Sequence, residues 1–598
     1  MLTKNEKLIK CDLLINHCSL DKMKYSDKSL LDQYIPITDW LRDYQFSFFK
    51  KDLRAGLTVG ILLIPQSMAY AMLAGLPPVY GLYASIVPLL IYAMFGTSRQ
   101  LGVGPVAIVS ILVATGVGSI ADTGSSRYIQ LVLALTLLVG ITQFLMGVFR
   151  LGFLMNFISK PVLSGFTSAA AFIIGFSQAG NLFGLELVRS KYIYMVATDL
   201  ISQLAQIHWP TFVIGASAIT FILVLKYLSP STPAQLIAVI ASIFLVWAFQ
   251  LEQMGVNTVG SVDEGYPAPV LPSLSEFPFW QLLPTVLAIA FLSYTQSIAL
   301  AKAMVRRNPD YKVDSNQELF SIGLSNMIGS VFHAFPVAGS FSRTAVNDQN
   351  KAQTSISLLI SAILVLLTVL LLTPLIYYLP QTVLAAIIIT AVPSLVEIGE
   401  AKFLWKVRKR EFLLMIVTFV ATLALGILEG IGIGVLISLG IVIHRSSYPN
   451  IVMLGRLPNT EHYRDLERHP EGLTQTHTII VRIDASLYFA NIPYMKEKLE
   501  ELEIESGKNL EQVIIDAIGI NKVDSSALHA LKELADEYNS RDIDVIFTGV
   551  KGPVRDLFKR SGLENIIGPE QFYLNINRAV DSLEDEKEEP SHLADSQE

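Results

Sequence analysis

The sequence is poor in the groups on which soluble chemistry relies. Of its 598 residues only Cys11 and Cys18 are cysteine, and both precede the first long apolar run, so neither a disulfide framework nor a cysteine metal site is available. Charged residues make up 16%, few for a soluble protein of this length, and their balance is acidic at -7, which argues against nucleic acid as a partner. Metal-ligand spacings and nucleophile motifs are missing as well, and His333 and His444 stand alone near the ends of apolar runs. Neither an enzyme nor a bound cofactor is expected. The polar N-terminus lacks the short apolar core of a signal peptide, and Met23 offers an alternative start.

What the sequence has in abundance is apolar length. Hydrophobic residues reach 52% and mean hydropathy is +0.48. Runs of about 20 residues, each sufficient for a hydrocarbon core of roughly 30 Å, recur between Leu53 and Ile443. They predict spans at 53–73, 79–95, 106–120, 129–148, 161–182, 210–228 and 234–249, then at 282–305, 318–332, 339–347, 354–377, 383–396, 412–428 and 431–443. An even number of spans puts both ends on one side. Arg306, Arg307 and Lys312 follow the eighth span and Lys402, Lys406, Arg408, Lys409 and Arg410 mark a later loop, whereas 251–279 has no basic residue; the positive-inside rule places both termini in the cytoplasm of a cell membrane.

Local signals refine this outline. Trp40, Phe48, Phe49, Lys50 and Lys51 suit an amphipathic stretch at the cytoplasmic interface. Pro65, Gln66 and Tyr70 predict a broken or kinked first span with inward polar groups. Ser315 and Glu318 have the spacing of a capping box, a structural role. The expected divisions are a cytoplasmic segment 1–52, a transmembrane domain 53–447, a linker 448–475, an α/β domain 476–580 and an acidic, disordered tail 581–598.

The stretch from Phe335 to Asn347 places Arg343 where a bilayer interior tolerates few charges, so it should line a cavity or meet a partner. Pro336 and Gly339 suggest an irregular approach, and Ser340 a cap from which a short helix starts. A helix start with free N–H groups, hydroxyls and an arginine suits an anion. A second such start is visible at Pro105-Val106-Ala107, which repeats as Pro336-Val337-Ala338 at an offset of 231 residues. The same offset sets Gln66 opposite Ser297, one place from Gln296. Secondary transporters often consist of inverted repeats whose broken helices meet at the midplane. Two half-helix starts and Arg343 would carry roughly two positive charges, which suits sulfate without excluding a monovalent anion.

Gln66-Ser67-Met68-Ala69-Tyr70-Ala71, Gly75-Leu76-Pro77-Pro78-Val79-Tyr80-Gly81-Leu82-Tyr83, Asp314-Ser315-Asn316-Gln317-Glu318-Leu319 and Gly339-Ser340-Phe341-Ser342-Arg343-Thr344-Ala345-Val346-Asn347 resemble the signatures of the SulP family of sulfate permeases and related anion transporters. The resemblance, from about Ile35 to Val580, implies a polytopic α-helical membrane protein of fourteen segments in two inverted seven-segment repeats, like the uracil permeases. A core domain would move against a gate domain, in a homodimer. It implies an anion site with backbone donors at Val106, Ala107, Phe341 and Ser342, hydroxyls at Ser340 and Ser342, Gln66 and Tyr70 from the first segment, and Arg343 supplying charge without necessarily touching the anion. Alanine at Arg343 should then remove charge from a cavity with little loss of folded protein. Gln296, counted with the site, stands where many members have an acidic residue associated with proton or sodium coupling, and a glutamine does not titrate. Exchange, uniport or another coupling group is therefore expected.

From about Thr476 short strands alternate with amphipathic helices. Val523-Asp524-Ser525-Ser526-Ala527 and its position resemble the STAS domain that ends most SulP proteins. In related bacterial regulators a serine at such a helix start is phosphorylated, which marks Ser525 as regulatory; read from the residues alone, Asp524 and Ser525 cap the helix. The expected function is secondary transport of an inorganic anion, sulfate first, with bicarbonate, chloride or a dicarboxylate as alternatives and a membrane-tethered STAS sensor or scaffold as the reading from another class.

Overall fold

The computed structural model describes residues 35–42, 44–153, 159–188, 190, 192–229, 232–260, 267–275, 277–507 and 510–588. The expectations for Cys11, Cys18, Met23 and 589–598 lie outside the described residues. Two compact units result, Met1–Ser438 and Leu439–Glu598.

Among the described residues, fourteen membrane segments run in order. The first half holds Phe46–Leu73, the pair Val79–Tyr83 and Val87–Phe95, Ala107–Val117, Ser126–Val148, Lys160–Ser177 with Ala179–Phe183, Trp209–Leu228 and Ala234–Phe249. The second holds Phe279–Arg307, Ser315–Val331, Phe341–Gln349, Ile356–Leu371, Gln381–Ala391, Lys409–Leu425 and Ile427–Ser447. Among the described residues, seven helices are each long and apolar enough to cross a membrane, and shorter apolar helices lie between them. Both halves follow one plan: a long helix, a second helix, a two-residue strand, a half-length helix, then four more segments. Amphipathic helices Ile193–Gln203 and Ile398–Val407 follow the fifth and twelfth segments, so Lys402 and Lys406 sit on a helix and not in a loop. At about ten residues, both are too short to register as spans.

The two strands tie the halves together. β1 (Val103–Gly104) pairs antiparallel with β2 (Ala338–Gly339), Val103 opposite Gly339 and Gly104 opposite Ala338. Antiparallel pairing of equivalent pieces is what inverted repeats require. Backbone inside a membrane must be satisfied by protein, and here each half satisfies the other.

Segments one to four pack with eight to eleven, while five to seven pack with twelve and thirteen, and Gly434 of the fourteenth lies against Val162 of the fifth, giving a core and a gate. The core holds a buried polar network. Gln143 of the fourth segment donates to Ala290 O (3.1 Å) and Ser293 Oγ (2.6 Å) of the eighth, and accepts from Asn326 Nδ2 of the ninth (2.8 Å). Asn326 Oδ1 in turn accepts from Val337 N (2.8 Å), so the network ends on the backbone that leads into β2. The fourth and ninth segments approach closely because Gly140 has no side chain: a Cβ there would lie 2.5 Å from Met327 N.

Three local expectations are corrected. The first segment begins at Phe46 and is not broken at Pro65, since a proline removes only one N–H from the helix ladder. Asp314, not Ser315, caps the ninth segment, accepting from Asn316 N (2.8 Å) and Gln317 N (3.0 Å). Glu318 is fully buried and faces away from that helix start. It accepts from Tyr92 Oη (2.8 Å), Thr97 N (2.8 Å), Thr97 Oγ1 (2.6 Å) and Ser98 N (3.0 Å), which fastens the connection leading from the second segment to β1.

The second unit is a six-stranded sheet of order β4-β3-β5-β6-β7-β8, with β3 Ile451–Arg456, β4 Tyr463–Asp465, β5 Thr478–Ile483, β6 Gln512–Asp516, β7 Asp544–Thr548 and β8 Phe572–Tyr573. β5 to β8 are parallel, and β3 and β4 add antiparallel at one edge. The stretch 448–475, expected to be a linker, thus contributes two strands; its alternation is too short to stand out from a charged background. Both faces of the sheet are buried, one under helices Ile492–Ser506, Ser525–Ser540 and Gly552–Ser561, the other against Ala579 and Val580 of helix Ile576–Glu588. The acidic run expected to be disordered continues this docked helix as far as Glu588.

Candidate functional site

The third and tenth segments are half-helices because each begins where its strand ends. Val106 and Ser340 are extended at the two helix starts (φ -138° and -111°), and neither side chain caps its helix. The Ser340 hydroxyl lies 3.2 Å from Ser342 Oγ instead. The first turn-closing bonds are Ser110 N to Val106 O and Thr344 N to Ser340 O, both 3.0 Å. N–H groups earlier in each first turn have no protein acceptor among the described residues. An acceptor-rich ligand is what such a pair of helix starts can hold, each start presenting about half a positive charge.

A cavity of ≈ 290 Å³ lies over both starts. From the core it is lined by Gln66, Tyr70, Val106, Ala107, Gln296, Ser340, Phe341 and Ser342, which brings together every expected site residue but Arg343. The gate supplies the opposite wall, including Lys226, Thr232 and Gln235. Among the described lining residues none is a carboxylate, and Lys226 is the single cation. Gln66 Nε2 donates to Gln235 Oε1 across the cavity (3.1 Å).

Of the two situations expected for Arg343, a cavity wall or a partner, the structure shows the partner. Arg343 is 1% exposed and does not line the cavity. Nη2 donates to Pro105 O (2.9 Å), the carbonyl just before the other half-helix, whereas Nε and Nη1 have no partner among the described residues. Its stem packs against the chain before β1: a Cβ on Gly102 would lie 2.6 Å from Arg343 Cβ, so only glycine fits. The side chain is both a charge beneath the site and a brace between the two half-helices. Around it, Ser340 N donates to Gly102 O (2.9 Å), Gly102 N to Thr344 Oγ1 (3.0 Å), Asn347 Nδ2 to Gln100 O (3.2 Å) and Gly339 N to Ser297 Oγ (2.8 Å).

The repeat register also differs from the sequence reading. The capping positions Val106 and Ser340 are 234 residues apart, not 231. Pro105 follows β1 but Pro336 precedes β2, so the shared Pro-Val-Ala is out of structural register although the two helix starts do meet at one cavity.

Lys226 and Gln235 were missed. A lysine near the end of a span is ordinarily a snorkelling anchor, and nothing in its neighbours distinguishes Lys226 from one. Being exposed as well as cavity-lining, it stands at the opening. Lys226→Glu should raise the half-saturating concentration of a divalent anion about tenfold, and that of a monovalent anion less, with both effects shrinking in high salt. Flux measured at two ionic strengths checks this; equal effects on both anions would remove Lys226 from the electrostatics of the site.

In the second unit Asp524 alone caps helix Ser525–Ser540, accepting from Ala527 N (2.7 Å) and, through its other oxygen, from Phe489 N (3.0 Å). Ser525 is exposed on the first turn and is not needed for the cap.

Two inverted repeats that bring uncapped half-helices to one cavity between a core and a gate define a secondary membrane transporter. Residues 49–418 match the sulfate permease family and residues 469–579 the STAS domain, and the chain belongs to that family. It is 42% identical over 573 residues to sulfate transporter 4.1, chloroplastic, of Arabidopsis thaliana, with 92% of this chain and 82% of that one covered. Probable sulfate transporter 4.2 of the same plant is 41% identical over 573 residues, covering 92% and 83%. The murine solute carrier 26 family member A9 anion transporter, solved in an inward-facing state, superposes with a TM-score of 0.86 at 24% identity over 94% of this chain and 97% of that one, a likeness of fold.

Proposed function

We propose that this protein is a secondary transporter of inorganic anions, with sulfate as its principal substrate, working by alternating access of the core against the gate. The observation that carries the reading is the pair of uncapped helix starts facing one cavity that has no carboxylate among its described lining residues. The anion accepts from backbone N–H groups of the two first turns and from the Ser340 and Ser342 hydroxyls. Gln66, Tyr70 and Gln296 complete the core wall, and Arg343 contributes charge from below. Sulfate is favoured over chloride or bicarbonate by two helix starts, Arg343 and Lys226 together, and by the curated relatives named as sulfate transporters. Uptake of labelled sulfate into proteoliposomes, with competition by chloride, bicarbonate and fumarate, tests this. Uptake blocked by one of those anions at far lower concentration than by sulfate itself would reassign the substrate.

The protein works as a homodimeric exchanger in a cell membrane with both ends cytoplasmic, and exposed Ser525 is its regulatory phosphorylation site. The support for exchange is Gln296, a non-titrating side chain on the cavity wall. An inward proton gradient should leave sulfate uptake unchanged, whereas sulfate loaded inside should accelerate it. Steep acid stimulation that survives Gln296→Ala would show that another group couples protons.

A further inference from the structure

We propose that Gln235, on the gate, is a positioning residue that holds the Gln66 carboxamide in place at the anion site. The inference rests on the anion site proposed above. Gln66 is 6% exposed, and its two polar atoms have unlike surroundings. Oε1 is buried with no partner, while Nε2 donates to Gln235 Oε1 across the cavity at 3.1 Å. A terminal carboxamide can turn over about its last torsion at little cost, so a glutamine alone does not decide whether it offers oxygen or N–H to a ligand. Sulfate offers acceptors only. In this pairing one Nε2 hydrogen serves the gate and the other is left for the anion, whereas without Gln235 the carboxamide turns freely. The gate thereby contributes to affinity through a residue of the core. When the seventh segment moves away from the first, Gln66 loses its orienting partner, so the two extreme states of the transport cycle bind the anion unequally.

The test is a double-mutant cycle in full-length protein reconstituted into liposomes, reading KM and kcat for labelled sulfate. Gln235→Leu should raise KM about threefold to tenfold, the range of one neutral hydrogen bond, with a much smaller change in kcat. Gln66→Leu should raise KM at least as much. The double variant should match Gln66→Leu alone, because Gln235 acts only through that side chain. Gln235→Asn, which keeps the amide but falls one methylene short, should repeat the KM effect of Gln235→Leu. Additive KM effects, an unchanged KM in Gln235→Leu, or loss of kcat in both Gln235 variants would each overturn the proposal. An unchanged KM in Gln66→Leu would count instead against Gln66 as part of the anion site, and no transport by the unsubstituted protein against the transport reading itself.

Discussion

Arg343→Ala is expected to abolish sulfate transport and also to destabilise the protein, in contrast to what a cavity-lining arginine would do. The two effects have separate causes. A unit charge a few ångströms from a divalent anion, at an effective dielectric near 20, is worth several kcal/mol, so the anion's affinity should fall by about a hundredfold or more. Truncation also empties a fully buried volume and removes the bond to Pro105 O, and large-to-small changes at such sites cost about 2–5 kcal/mol. Removing a cation whose Nε and Nη1 have no partner gives some of this back, but not the packing against Gly102. Arg343→Gln separates the terms, since it keeps much of the volume and a donor for Pro105 while losing the charge. Labelled-sulfate flux should be lost in both variants and thermal unfolding in detergent lowered mainly in the alanine variant. Near-normal flux in Arg343→Gln would mean that the charge beneath the half-helices is not used.

Glu318→Ala should be the most damaging substitution away from the cavity. Four donors converge on this carboxylate, three of them on Oε1. Each buried donor left without an acceptor costs about 1–3 kcal/mol, so the sum approaches the whole stability of an ordinary domain. Little folded protein should be recovered from membranes. Glu318→Gln retains an oxygen for Thr97 and Ser98 but offers an amide to the Tyr92 hydroxyl, which can turn to accept. It should fold with a thermal midpoint lowered by several degrees. Full stability in Glu318→Ala, measured by size-exclusion chromatography and thermal unfolding, would contradict this account. A functional deficit in the glutamine variant should appear as reduced affinity, because the connection held by Glu318 leads into β1.

The sequence makes the membrane segments legible because hydrocarbon imposes a length and a polarity on each, and Ala234–Phe249 falls where the apolar run predicts. The half-helix at Phe341 is legible for a related reason: proline, glycine, hydroxyls and an arginine have no other business between two apolar runs. Three other features are hidden for physical reasons. Register within the repeat depends on where a two-residue strand sits relative to a proline, and a tripeptide match carries no such information. The burial of Arg343 depends on Gly102, more than 200 positions away, having no side chain. The role of Lys226 and Gln235 comes only from the gate lying opposite the core, which no local pattern encodes.

The pairing of β1 and β2 bears on how the protein assembles. Each strand and the chain beside it find their acceptors and donors on the opposite half: Ser340 on Gly102, Gly102 on Thr344, Arg343 on Pro105. A single seven-segment unit in a bilayer would leave those groups bare. Neither half completes its own mid-membrane backbone, so this region of the site assembles only once both halves are in the bilayer.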